Sequence, residues 1–142
     1  MLSAEELTHR IRERGLPEPV VALAILGGAA VHPALEYEVD SIHLDGDGPS
    51  FSVIEQSGRG DLVPLWTLSA TVTVFSASDG TFLEWSAEDE EPWTIWPDFA
   101  AVVRHLLTNL YEASASEQHR QEIAALLLPE RQAVGSLMPE QR

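Results

Sequence analysis

Thr71-Val72-Thr73-Val74-Phe75, then Ser76-Ala77-Ser78-Asp79-Gly80, then Thr81-Phe82-Leu83-Glu84-Trp85: the reading of this stretch decides the fold. Two runs rich in β-branched and aromatic residues flank a small polar turn closed by glycine, which predicts an antiparallel hairpin. Upstream, Leu62-Val63-Pro64-Leu65-Trp66 reads as another short strand. Pro64 has no backbone N–H for a ladder, so this strand belongs at an edge, an end or a bulge. Phe51 to Glu55 is expected as a further strand, separated from it by Ser57-Gly58-Arg59-Gly60-Asp61. Glu36 to Leu44 alternates in polarity and predicts the first strand, followed by a turn at Asp45-Gly46-Asp47-Gly48-Pro49.

Helical patterns flank these strands. Ser3 and Glu6 have the spacing of a capping box, Leu7 and Ile11 lie one turn apart, and Gly15 marks the end of that helix. Leu16-Pro17-Glu18-Pro19 opens a second helix, because proline is tolerated in a first turn. Val20 to Leu26 is apolar on nearly all sides, which predicts burial between other elements, and Gly27-Gly28 ends it. Downstream, Asp98 caps a helix whose Phe99, Val102, Val103, Leu106, Leu107, Leu110 and Tyr111 follow the helical period. A last helix starts at Ser114 or Ser116, carries Ile123, Leu126 and Leu127, and stops at Pro129. The expected class is α+β: an antiparallel β-meander sheet of four to five strands, with N- and C-terminal helices packed on one face. Residues 1–113 form a single domain on this reading. Residues 114–142 supply a C-terminal helix and tail, packed on that domain or appended to it.

With 142 residues, 44% apolar and 22% charged, the chain is long enough for one domain with a substantial core. The apolar run from Val20 to Val31 is shorter than a membrane span, and the N-terminus lacks the basic and apolar regions of a signal peptide. Cysteine is absent, which excludes disulfides and thiolate chemistry and suits a cytoplasmic location. The 23 acidic residues outnumber the 8 basic ones, all arginine, for a net charge of −15. So negative a chain is a poor binder of nucleic acid or of anionic membranes, and it attracts basic partners.

Motifs for chemistry are missing. His9, His32, His43, His105 and His119 lie in different elements without metal-ligand spacing, so no metal or other cofactor is expected. Asp45-Gly46-Asp47-Gly48 fails as a calcium loop, because Pro49 and Gln56 fall where ligands are required. Arg59-Gly60-Asp61 reads as part of a glycine-permitted connection. No GxSxG, paired catalytic acids or phosphate-binding glycine loop occurs, and nothing in the sequence argues for an enzyme.

The segment Glu84 to Pro97 stands apart, holding three of the four tryptophans and five carboxylates. Trp85 ends a strand and is expected in the core. Glu88, Asp89, Glu90 and Glu91 repel one another and face solvent or a basic partner. Trp93 and Trp96 either cover the core edge or serve with these acids as partner-binding residues.

The order of elements resembles the SUKH superfamily of Smi/Knr-like immunity proteins. The similar features are Leu16-Pro17-Glu18-Pro19 before a helix ending in Gly-Gly, Gly60-Asp61 before an apolar strand, the Ser78-Asp79-Gly80 hairpin, and an acidic loop leading into Pro97-Asp98-Phe99. The likeness spans about Glu5 to Leu110. Gly27-Gly28 replaces the Asn-Gly common in such proteins, and Ala29 to Tyr37 is short. The resemblance implies a non-catalytic domain that neutralises a toxin, often a nuclease. Two other readings stand beside it: a small-molecule or enzymatic domain with a pocket between sheet and helices, and an oligomeric structural protein that pairs through the C-terminal helix.

Overall fold

The computed structural model describes residues 3–42, 53–55, 57–58, 60–86, 88–89 and 91–128. The first helix, α1 (Ala4–Glu13), carries the expected capping box, with the Ser3 hydroxyl accepting from the Glu6 N–H at 3.1 Å. It buries Leu7 and Ile11, and Gly15 takes φ +86° just beyond it. The second, α2 (Glu18–Leu26), buries Val20, Leu23 and Ala24. Leu26 is exposed, so burial is less complete than the all-apolar sequence suggested.

Chain reversal after α2 depends on a close approach that only glycine permits. A β-carbon on Gly28 would lie 2.2 Å from the carbonyl oxygen of Leu35, while the Gly28 N–H donates to the Val39 carbonyl at 2.9 Å. Two short 3-10 turns, Gly28–Ala30 and Pro33–Leu35, fold back at this point.

The alternating segment from Glu36 onward is not a strand in its described part. Leu35, Val39 and Ile42 are the buried residues, at spacings of four and three, whereas Tyr37 is exposed. Core contact at those three positions outweighs the polar alternation. Among the described residues of this segment, only Asp40 makes a β-bridge, exchanging backbone hydrogen bonds with Thr67 at 2.8 and 2.9 Å. The expected Asp45–Pro49 turn and the start of the Phe51 strand lie outside the described residues. Val53, Ile54 and Glu55 are helical where a strand was expected, and Ser57, expected in the connection, is helical as well. The Ser57 hydroxyl donates to the Ile54 carbonyl at 2.8 Å, and Gly58 at φ +68° closes the turn.

The sheet is an antiparallel meander in the order β1 (Leu62–Leu68), β2 (Thr71–Ser76), β3 (Phe82–Ser86), β4 (Thr94–Trp96). Pro64 occupies an edge strand, next to a register shift between Pro64 and Trp66, in keeping with its missing N–H. The β2–β3 hairpin is the one its sequence predicts, with Gly80 at φ +79°. The Asp61 carboxylate braces it by accepting from the Ser76 and Ser78 hydroxyls at 2.8 and 2.6 Å.

Two clusters sandwich the sheet. The larger packs Val63, Leu65, Trp66, Phe75, Phe82 and Trp96 against the helices. The smaller joins Leu62, Val72, Val74, Leu83 and Trp85 with Val53. Cross-strand pairs separate the two faces: Phe75 opposes Phe82, which opposes Trp96, while Val74 opposes Leu83 and Val72 opposes Trp85.

Helix α3 (Phe99–Glu112) starts at Asp98, whose carboxylate accepts from the Ala101 N–H at 2.9 Å, and buries the expected apolar face except Tyr111. Tyr111 is exposed beneath the Arg120 guanidinium, 5.0 Å from its ring centre. Ser114 adopts φ +70°, and Ser116 caps α4 (Glu117–Leu127). Ile123, Ala124 and Leu127 join the larger core and Leu126 is exposed. Two of the three residues expected to dock on a second copy are thus covered by their own chain.

Candidate functional site

The acidic-aromatic segment divides its tryptophans among three environments. Trp85, 4% exposed, lies in the smaller cluster, and its indole N–H donates to the Asp89 carbonyl at 3.0 Å. Trp96, 9% exposed, lies in the larger cluster with its ring 5.2 Å from that of His105. Of the two places open to Trp96, the core edge or the partner-binding surface, this burial fits the core edge. Its place opposite Phe82 turns the side chain toward the helices. Trp93 is 60% exposed, and its indole N–H donates to the Asp89 carboxylate.

Asp89 therefore holds two tryptophans, one through its backbone and one through its side chain. The turn is tightened further by Asp89 N–H donating to Ser86 O at 3.1 Å and Glu88 N–H donating to Ser86 Oγ at 3.2 Å. Trp93 N–H donates to Glu84 O at 2.7 Å, which leads the chain into β4. This strand was not legible in the sequence, because three residues carry little periodicity. It sets Ile95 opposite Leu83 with 63% of its surface exposed.

The result is two exposed apolar residues, Trp93 and Ile95, two positions apart in sequence and preceded along the chain by exposed Glu88 and Glu91. Asp89 is half-buried and engaged by Trp93, so it is less a free charge than a clamp. Glu90 lies outside the described residues. An indole held in one orientation loses little freedom when a partner covers it, and carboxylates beside it favour arginine or lysine.

Beneath this surface, Glu84 is turned toward the helices. Its Oε2 lies 3.9 Å from His105 Nε2, at a cavity of about 40 Å³ lined by Trp66, Thr73, Trp96 and His105 among others. That space suits a water molecule more than a substrate. A larger groove of about 450 Å³ runs along α1 at the surface, lined by His9, Arg10, Glu13 and Arg14 over Val63, Phe75 and Ala77. Arg14 is committed there: it donates to Gly80 O at 3.1 Å and stands 5.2 Å from the Phe82 ring centre.

A second polar cluster was missed by reasoning from sequence spacing. His32, His119 and Glu122 converge, with His32 Nε2 2.8 Å from Glu122 Oε1 and the two imidazole centres 5.0 Å apart. The hydrogen bond from His32 holds the Glu122 carboxyl below its ordinary pKa, with help from Gln118. Only the spacing of His119 and Glu122 along one helix face could have hinted at it; His32 arrives through tertiary folding. His43 lies outside the described residues. Among the described residues, no helix is long and apolar enough to cross a membrane.

Comparison with protein-family models, with curated proteins and with solved structures finds no match.

Proposed function

We propose that this chain is a non-catalytic, acidic protein-binding domain of the cytoplasm, immunity-like, which neutralises a basic partner such as a nuclease toxin. The observation that carries the reading is Trp93: largely exposed, oriented by Asp89, and close in sequence to exposed Ile95, Glu88 and Glu91. Leu26 and Tyr37 are more exposed than Trp93, so exposure alone does not single it out; its fixed orientation and its residue type, enriched among interface anchors, do. Covering the exposed part of Trp93 removes on the order of 100 Å² from water and contributes about 3 kcal/mol. The surrounding carboxylates, on a chain of net charge −15, accelerate encounter with a basic surface and compete with phosphate for its arginines. The resemblance of the sequence motifs to those of the SUKH superfamily points to the same function.

The test is complex formation with the protein encoded beside this chain, with hen lysozyme as a basic control. The proposal expects a stable complex with the neighbour alone, and an affinity loss of roughly thirty-fold or more for Trp93→Ala, the scale of an interface hot spot. Equal retention of both proteins would reduce the surface to non-specific charge attraction. No complex, or one indifferent to Trp93, would remove the proposal.

A further inference from the structure

We infer that His32, His119 and Glu122 form a binding site for a zinc-class divalent cation. Folding brings His32 to the last helix, where it precedes Pro33 and caps the 3-10 turn Pro33–Leu35. His119 and Glu122, three residues apart, project from one face of α4. One ligand atom from each of the three lies within 4.8 Å of the others. Ligand atoms around a single tetrahedral zinc stand about 3.4 Å apart, so the widest pair must close by up to about 1.4 Å while the His32–Glu122 pair, at 2.8 Å, must open. His119 and Glu122 are exposed and supply that movement by side-chain rotation. Gln118 donates to the second Glu122 oxygen at 3.2 Å and helps to orient the carboxylate. Two imidazoles with one carboxylate favour a borderline ion over magnesium or calcium, and three protein ligands leave a fourth position for water.

The tautomer of His32 sets the strength of the site. Its Nδ1 accepts the Ala34 N–H at 3.0 Å, so in the metal-free neutral ring the proton resides on Nε2, facing Glu122. Coordination through Nε2 transfers that proton to Nδ1 and sacrifices the Ala34 hydrogen bond. The site is therefore weaker than one whose second nitrogen already donates, and binding has a local signature at the Ala34 amide.

The full chain should be titrated calorimetrically with zinc chloride and with magnesium chloride, while amide and imidazole nitrogen resonances are followed by NMR. One zinc equivalent should bind, magnesium should give no heat, and the Ala34 amide should shift. His119→Ala and Glu122→Gln, both at exposed positions, should each weaken zinc binding roughly ten-fold or more. Absence of zinc binding to the unaltered chain overturns the inference. So does undiminished affinity in both variants, which places the ion on other histidines. Should His119→Ala fail to fold, the zinc affinity of Glu122→Gln decides between the two outcomes.

Discussion

Replacing Trp96 and Trp93 by alanine, one at a time, separates scaffold from surface within a single short segment. Trp96 is 9% exposed and packs in the larger core beside His105 and opposite Phe82, so its truncation removes buried surface and leaves a cavity. Such truncations cost about 3–5 kcal/mol. Its position on a short edge strand, where neighbours can relax inward, places Trp96→Ala near the lower end, about 3 kcal/mol. That is a large share of a total stability of about 5–15 kcal/mol. Trp93 has only 40% of its surface to lose, together with a hydrogen bond to Asp89 in a solvent-exposed setting. Its truncation should cost about 1 kcal/mol. Urea unfolding followed by far-ultraviolet circular dichroism measures both without relying on the fluorescence of the residues removed. Equal costs for the two variants, or a larger one for Trp93, would refute the assignment of Trp96 to the core and Trp93 to the surface.

Two further consequences concern the framework. Gly28→Ala drives a β-carbon into the Leu35 backbone and strains the Gly28–Val39 hydrogen bond; a loss of about 3 kcal/mol or more is expected, against near-neutrality for Gly60→Ala, which meets open space. Denaturation midpoints of the two variants check this. The Arg12 guanidinium donates to Glu18 and lowers its pKa, so this pair stabilises the fold fully above the ordinary carboxyl value of 4.5 and loses effect as pH falls through the lower folded-state value. Both side chains are exposed, so the effect is small and salt-sensitive. Glu18→Gln should flatten that part of the thermal-midpoint profile, and more visibly at low salt.

What the sequence made legible follows from where local chemistry and tertiary packing agree. The β2–β3 hairpin and α3 were readable because Gly80, the β-branched runs, the Asp98 cap and the apolar period all favour one structure. Around Glu36 to Ile42 the two conflict: alternating charges suggest a strand, yet Leu35, Val39 and Ile42 are drawn into the core after the Gly28 reversal. Val53 shows the same conflict, its strand-like run giving way to a helical turn whose side chain covers the smaller cluster. At the candidate site, crowding of acids and tryptophans was visible, but the allocation of each ring was not. That allocation depends on β4, whose three residues oppose Phe82, Leu83 and Glu84, and on Asp89, whose two hydrogen bonds to tryptophan have no sequence signature. The approach of His32 to α4 spans 90 positions to Glu122 and belongs wholly to tertiary structure.

The most direct test of the acidic recognition surface is the association rate with the neighbouring-gene protein across a range of salt concentrations. It should be measured for the unaltered chain and for a Glu88→Gln, Glu90→Gln, Glu91→Gln triple variant that keeps the Asp89 clamp. Steering by these carboxylates predicts a rate that falls steeply with salt in the unaltered chain. It also predicts a slower, flatter dependence in the variant, with dissociation changed much less. Identical salt profiles for the two proteins would contradict it.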